Sequence, residues 1–197
     1  MNAMTWVLLA VGLLAVFWAV GAYNRLVRLK NAIANAFGQI DVQLKRRYDL
    51  IPNLVEVARK YLAHEAQTLE AVIAARNQAR SAEQTAAGSP LNAGALGALA
   101  GAEQMLGGAL GRLFAVAEAY PDLKADQTMR ELSEELSSTE NRIGFARQAY
   151  NDHVLEFNDA AAQFPTLIVA RLFNFQPQAM LASTTSEAER APVKVSF

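Results

Sequence analysis

The sequence predicts an all-α protein in which an N-terminal transmembrane helix leads into an antiparallel up-down four-helix bundle. Three observations carry this reading. The first 24 residues hold no charged side chain, and Met4 to Ala22 is apolar except for Thr5. Ala, Leu, Glu, Gln and Arg dominate the remainder while β-branched runs are scarce, which favours helix over strand. Apolar residues then recur at helical spacing in four successive stretches, separated by segments bearing Pro, Gly or capping residues.

The opening run of 19 residues is about 28 Å long as a helix, close to the hydrocarbon thickness of a bilayer. Trp6 lies near one end and Trp18 and Tyr23 near the other, where amphipathic rings anchor at the interfaces. A cleaved signal peptide has a shorter apolar core preceded by Lys or Arg. Here no basic residue precedes the run, while Arg25, Arg28 and Lys30 follow it at once and the first acid is Asp41. That asymmetry predicts a single pass through the inner, cytoplasmic membrane, with the N-terminus outside and residues 25–197 in the cytoplasm. The chain has no Cys, which excludes disulfides and thiolate metal sites.

Residues 1–23 therefore read as the span, 24–164 as the helical bundle, and 165–197 as a short apolar segment with a polar tail. In the first bundle helix Leu26, Leu29, Ile33, Phe37, Ile40 and Leu44 form one stripe continuing the span. Asp49 and Pro52 predict a turn within RRYDLIPNLVE, because Pro52 cannot donate to the carbonyl of Tyr48 and Asp49 is a good cap. A competing reading keeps both sides of Pro52 in one kinked rod, since RRYDLI lacks Gly. The second helix is expected from about Leu50 to Ala82, followed by a loop over TAAGSPLNAGALG.

The third helix is expected over Leu99 to Tyr120, with Leu106, Leu110, Leu113, Ala117 and Tyr120 on its stripe and Pro121 ending it. Asp122 or Asp126 can cap the fourth. That helix has the clearest period in the chain: Leu132, Leu136, Thr139, Ile143, Ala146, Tyr150, His153, Phe157, Ala160 and Phe164 alternate steps of four and three, a coiled-coil-like seam. Phe164-Pro165 closes it. One mismatch accompanies the turn at Asp49: the 38 steps from Asp126 to Phe164 make about 57 Å, more than a first helix ending there offers.

The motifs RYDLIPNLVE (47–56), LFAVAEAYPDLKA (113–125), STENRI (138–143) and AYND (149–152), in this order, resemble the LemA family. The resemblance runs from YNRLVRLKNAIANAF to PVKVSF, with one departure in the Gly- and Ala-rich stretch 86–101. It implies a bacterial single-pass membrane protein with an antiparallel helical bundle. It implies no particular activity.

The residues themselves give little sign of catalysis. A dimetal bundle needs Glu-x-x-His steps, but Tyr61 and Tyr150 stand three before His64 and His153. There is no G-x-S-x-G and no phosphate-binding G-x-x-x-x-G-K-[ST], so no cofactor and no small-molecule substrate is expected. Basic residues are few and not interleaved with a recognition motif, so no nucleic acid is expected. His153 reads as a hydrogen-bonded core residue rather than a ligand.

Three groups of residues stand out. Gln39, Asn53, Glu118, Glu140, Asn141 and Arg142 interrupt apolar stripes and read as a structural polar network that fixes helix register. A turn at Asp49 brings Lys45, Arg46, Arg47 and Tyr48 to the membrane-distal tip beside Tyr120, Pro121 and Asp122. There the basic triplet either complements the C-terminal end of the first helix and pairs with Asp122, adding modest stability, or forms a docking surface for a partner protein. Near the bilayer, Phe164, Leu167, Ile168, Leu172, Phe173 and Phe175 form either an interfacial segment or a cap on the open bundle end. The function these features predict is a non-enzymatic adaptor or scaffold at the membrane, self-associating or recruiting another membrane protein. A membrane-shaping module and a hydrolase using a buried Glu118, Glu140 or His153 are the alternatives.

Overall fold

A computed structural model describes residues 2–181; the polar tail beyond them lies outside the described residues. Every regular element among the described residues is a helix: α1 (Ala3–Arg59), α2 (Ala66–Gly88), α3 (Ala93–Ala117), α4 (Pro121–Ala125), α5 (Gln127–Ala162) and α6 (Thr166–Leu172). α1 packs chiefly against α5 and next against α2, which packs against α3. The spatial order is therefore α5, α1, α2, α3.

The expected turn at Asp49 is absent, because α1 runs unbroken for 57 residues with Pro52 inside it, about 84 Å. An interior Pro costs a helix roughly 3 kcal/mol, chiefly through the missing N–H and the clash with the carbonyl four residues back. Here that carbonyl has another donor: Arg76 Nε on α2 donates to Tyr48 O at 2.9 Å. The Pro52 ring faces outward. Ile51, Leu54, Val55 and Ala58 beyond it are as buried as Ile40 and Leu44 before it, so packing continues across the break in the hydrogen-bond ladder.

The length mismatch disappears with the turn. From Ala22 to Arg59 α1 extends about 56 Å, and α5 about 53 Å, so the two lie side by side over their whole lengths. The chain reverses instead at Lys60–Glu65, where neither Gly nor Pro occurs. Leu62 is fully buried there and Tyr61 donates to Asp126 Oδ2 at 3.0 Å, so tertiary contacts hold this turn.

The second connection is shorter than the expected 85–97 loop. It occupies Ser89 to Asn92, and Asn92 caps α3 by accepting from Ala95 N at 3.0 Å. α3 thus covers Ala93–Ala117 rather than 99–120, its glycines exposed on the side away from Leu96, Leu99, Leu106, Leu110 and Leu113. Pro121 opens α4, and Asp126 caps α5 through Met129 N at 2.9 Å. On α5 the seam residues Leu136, Thr139, Ile143, Tyr150, Phe157 and Ala160 are buried, but Phe164 is exposed and His153 is half-exposed, 3.9 Å from Glu156. His153 is a flank residue, not a core one.

The first part of α1 is long and apolar enough to cross a membrane, and none of its most apolar window is buried. Where the core begins, Tyr23 packs at a tilt against Phe173 (ring centroids 4.8 Å) and edge-on against Phe175 (5.6 Å). α6 packs against both α1 and α5 through Val169 and Ala170. It ends in a Schellman motif: Phe175 N donates to Ala170 O and Asn174 N to Arg171 O, with Asn174 at φ 55°. That left-handed residue turns the chain back along α5.

Candidate functional site

The sequence-predicted tip does not assemble. Lys45, Arg46, Arg47 and Tyr48 sit some 16 Å or more short of the end of α1, because the helix continues past Asp49. Lys45 pairs with Asp41 at 2.6 Å and Arg46 with Glu135 on α5 at 2.6 Å, both on the surface. Arg47 does not meet Asp122; it points inward with Tyr48. Tyr120, Pro121 and Asp122 do lie at the far end, half-buried, exposed and exposed respectively, and their neighbours across the end are Tyr61 and the Lys60–Glu65 turn.

The polar network is likewise elsewhere. Gln39, Asn53, Glu118, Asn141 and Arg142 are all solvent-exposed, since each falls beside rather than on the buried stripe of its helix. Glu140 alone of that group joins a buried cluster. Arg47 Nη1 lies 2.9 Å from Glu103 Oε2 and 2.7 Å from Glu140 Oε2, while Tyr48 OH donates to Glu103 Oε1 at 2.5 Å. The cluster ties α1, α3 and α5 together. Burial pushes the Glu103 carboxyl up, opposed by the Arg47 charge and the Tyr48 hydrogen bond. Burial likewise pushes the Tyr48 hydroxyl far up, with Glu103 adding to it. Arg147 on α5 completes the cluster; burial lowers its pKa while Glu140 and Glu103 oppose that.

A second buried carboxyl, Glu83 on α2, faces Asp41 and Lys45 of α1. Burial and the neighbouring Asp41 push Glu83 up to about 7. Asp41 is itself held below its ordinary value: burial would raise it, but hydrogen bonds with Glu83 and Lys45 prevail. Lys45 Nζ lies 3.7 Å from Glu83 Oε1, and its charge opposes the rise.

Between α3 and α5 the helices stand apart, and a groove of about 580 Å³ opens with Arg47, Glu103 and Glu140 at its inner end. Its walls are Gly107, Gly108 and Gly111 on α3 and Ser133 and Ser137 on α5. A buried carboxyl with a raised pKa beside a cleft is a mark of catalytic sites. Both Glu103 oxygens are nevertheless engaged, one by Arg47 and one by Tyr48.

Sequence reasoning missed Glu103 and Glu83, although a signal existed. Leu96, Leu99, Glu103, Leu106, Leu110 and Leu113 follow steps of three and four, which puts Glu103 on the core seam of α3. Leu69, Val72, Arg76, Ala79, Glu83 and Ala86 do the same on α2.

The LemA family model matches residues 36–197, which includes this cluster, the groove and the tail. The chain belongs to the LemA family. Among curated relatives it is 29% identical to Protein LemA of Metamycoplasma hominis over 180 residues, 91% of this chain and 77% of that protein. It is 27% identical to Magnetosome protein MamQ of Magnetospirillum gryphiswaldense over 169 residues, 78% of this chain and 62% of the relative. Magnetosome protein MamQ 2 of Paramagnetospirillum magneticum is 26% identical over 172 residues with the same coverage. The chain thus spans 62% of the length of these MamQ relatives.

Proposed function

We propose that this LemA-family chain is a membrane-anchored adaptor or scaffold of the bacterial inner membrane, whose four long helices form one up-down bundle held upright on a single span. It performs no catalysis; it self-associates or recruits a partner at its far end. The observation that carries the reading is the continuity of α1. One helix includes the apolar segment and the buried stripe from Leu26 to Ala58, so no hinge separates anchor from domain. At the near end, exposed Phe164, Ile168, Leu172 and Phe173 with half-buried Leu167 and Phe175 give α6 an apolar face for the headgroup region, beside Tyr23. The positive residues Arg25, Arg28 and Lys30 on one side of the span support a cytoplasmic domain. The naming of relatives as magnetosome proteins is in keeping with a structural role at a membrane.

The far end offers exposed Tyr61, Pro121 and Asp122 around a fixed turn, a compact surface with an aromatic, a rigid ring and a charge. Crosslinking of the intact protein in native membranes is expected to give a discrete adduct that Asp122→Arg removes without loss of helicity. Retention of the adduct would overturn the far end as the docking surface. Single cysteines at Asn2 and His64 report orientation: a membrane-impermeant thiol reagent should label position 2 and spare position 64 on intact cells, and the opposite pattern reverses the topology.

A second reading, hydrolysis assisted by a buried carboxyl, is favoured by one observation: the raised Glu103 at the inner end of the groove. Glu103→Gln keeps an acceptor for Tyr48. If it abolished a measurable turnover in a folded protein, the enzyme reading would replace the adaptor.

A further inference from the structure

Past α6 the chain runs back up α5 as an extended strap held by two asparagines. Asn158 accepts from Gln178 N at 2.8 Å and donates to Gln178 O at 3.0 Å; Asn151 does the same for Leu181, at 2.9 and 3.0 Å. Seven helical residues rise about 10.5 Å and three extended residues cover about 10 Å, so the strap runs antiparallel to α5 in register with it. Leu181 is buried among Ile40, Leu44, Leu99 and Ile143, between α1, α3 and α5. The strap therefore leads to the mouth of the α3–α5 groove.

The groove has the shape of an unfilled track. A Cβ added at Gly107, Gly108 or Gly111 would meet nothing within 4 Å. Phe114 and Ser133 also line an adjoining hollow of about 300 Å³ toward the far end, with Ala117 and Met129. The residues that follow Leu181, outside the described ones, close with VKVSF, in which Val193, Val195 and Phe197 alternate with Lys194 and Ser196. Such alternation gives an extended segment one apolar and one polar face. The family match also runs through residue 197, so the family pattern includes this stretch.

The geometry points to the α3–α5 groove as the docking site of this chain's own residues 182–197, with Val193, Val195 and Phe197 seated on the glycine wall of α3. Reach is sufficient. From Asn151 to Ser133 along α5 is about 27 Å and to Met129 about 33 Å, whereas the 16 residues after Leu181 extend to about 53 Å. Seating would cover Phe114 and Leu136. The strap and the docked segment together would form a belt from α5 to α3.

The absence of Cys makes the test clean. In the full chain in detergent, Gly108→Cys combined with Val195→Cys should close a disulfide within one chain under mild oxidant. It should do so at least tenfold faster than Val195→Cys combined with a cysteine at exposed Val42 on α1. Equal rates for the two pairs, or a disulfide formed only between chains, would overturn the proposal, the latter in favour of a second copy's segment. Independently, Phe197→Asp should speed amide exchange in α3 from Leu106 to Phe114 at least tenfold while leaving α2 unchanged. Unchanged exchange in α3 would overturn it as well.

Discussion

Replacing Arg47 by Met tests the buried cluster most severely. The Arg47 and Glu103 side chains are only 9% and 4% exposed, so removing the cation leaves a buried carboxylate held by the Tyr48 hydroxyl and the charge of Arg147. Breaking such a pair from one side costs about 3 to 5 kcal/mol, on the order of a hundredfold or more in the folding equilibrium. The cost depends on pH in a defined direction. Without Arg47 the Glu103 carboxyl, already raised, rises further above its unfolded value, and such a group stabilises below the unfolded pKa and loses that contribution as pH climbs through the folded pKa. Arg47→Met should therefore hurt more at pH 8 than at pH 5, where Glu103 takes up a proton instead. The double variant Arg47→Met, Glu103→Met should recover most of the loss, short of about 1 kcal/mol for the acceptor Tyr48 loses. Urea unfolding of the full chain in detergent, followed by circular dichroism, is the assay; both Trp residues lie in the apolar segment and do not report on the domain. A loss under about 1 kcal/mol at pH 8, or equal losses at both pH values, would refute the reasoning.

Two further predictions concern α1. Arg76→Met strips Tyr48 O of its donor and should cost about 1 to 3 kcal/mol, but less in a Pro52→Ala background, where the amide at 52 returns to that carbonyl; a double-mutant cycle without coupling would disprove the compensation. Glu83, raised to about 7 from an ordinary 4.5, contributes stability that is complete below its unfolded pKa and lost as pH rises through about 7, at most about 3 kcal/mol. Asp41, held low, acts only at the acid end. Glu83→Gln should flatten the fall in melting temperature between pH 5 and pH 8, with Glu103 supplying a residual slope of the same sign, and a slope identical to wild type would remove Glu83 from the account.

The stripes of α1 and α5, the cap at Asp126 and the family resemblance were legible because each rests on local chemistry or on a period within one helix. The course of α1 was legible too, but in a different feature from the one that predicted a turn. Leu44, Arg47, Ile51, Leu54 and Ala58 keep the seam's steps of three and four across Pro52, and an unbroken period outweighs one missing hydrogen bond when a distant arginine replaces it. The turn at Lys60–Glu65 carried no local mark, since Leu62 burial and the Tyr61 bond to Asp126 exist only once the helices have met. The buried cluster required aligning three helices at once: Arg47 and Glu103 each occupy a seam position that reads as an isolated polar exception until the two face each other. Misplacing one turn also split the predicted tip, because Lys45 to Tyr48 keep their height while α1 carries the far end some 16 Å beyond them.

The account rests on α1 as one rod that holds the domain upright, and the height of its far end measures that directly. The full chain with a single cysteine at His64 is labelled with a donor dye and reconstituted in vesicles carrying a headgroup acceptor; a second preparation is labelled at Arg171 in α6. The rod places position 64 roughly 56 Å from the surface and position 171 close to it, so energy transfer should be weak for the first and strong for the second. Equal, strong transfer from both positions would mean that the domain lies flat on the membrane, and the rigid anchor would be contradicted.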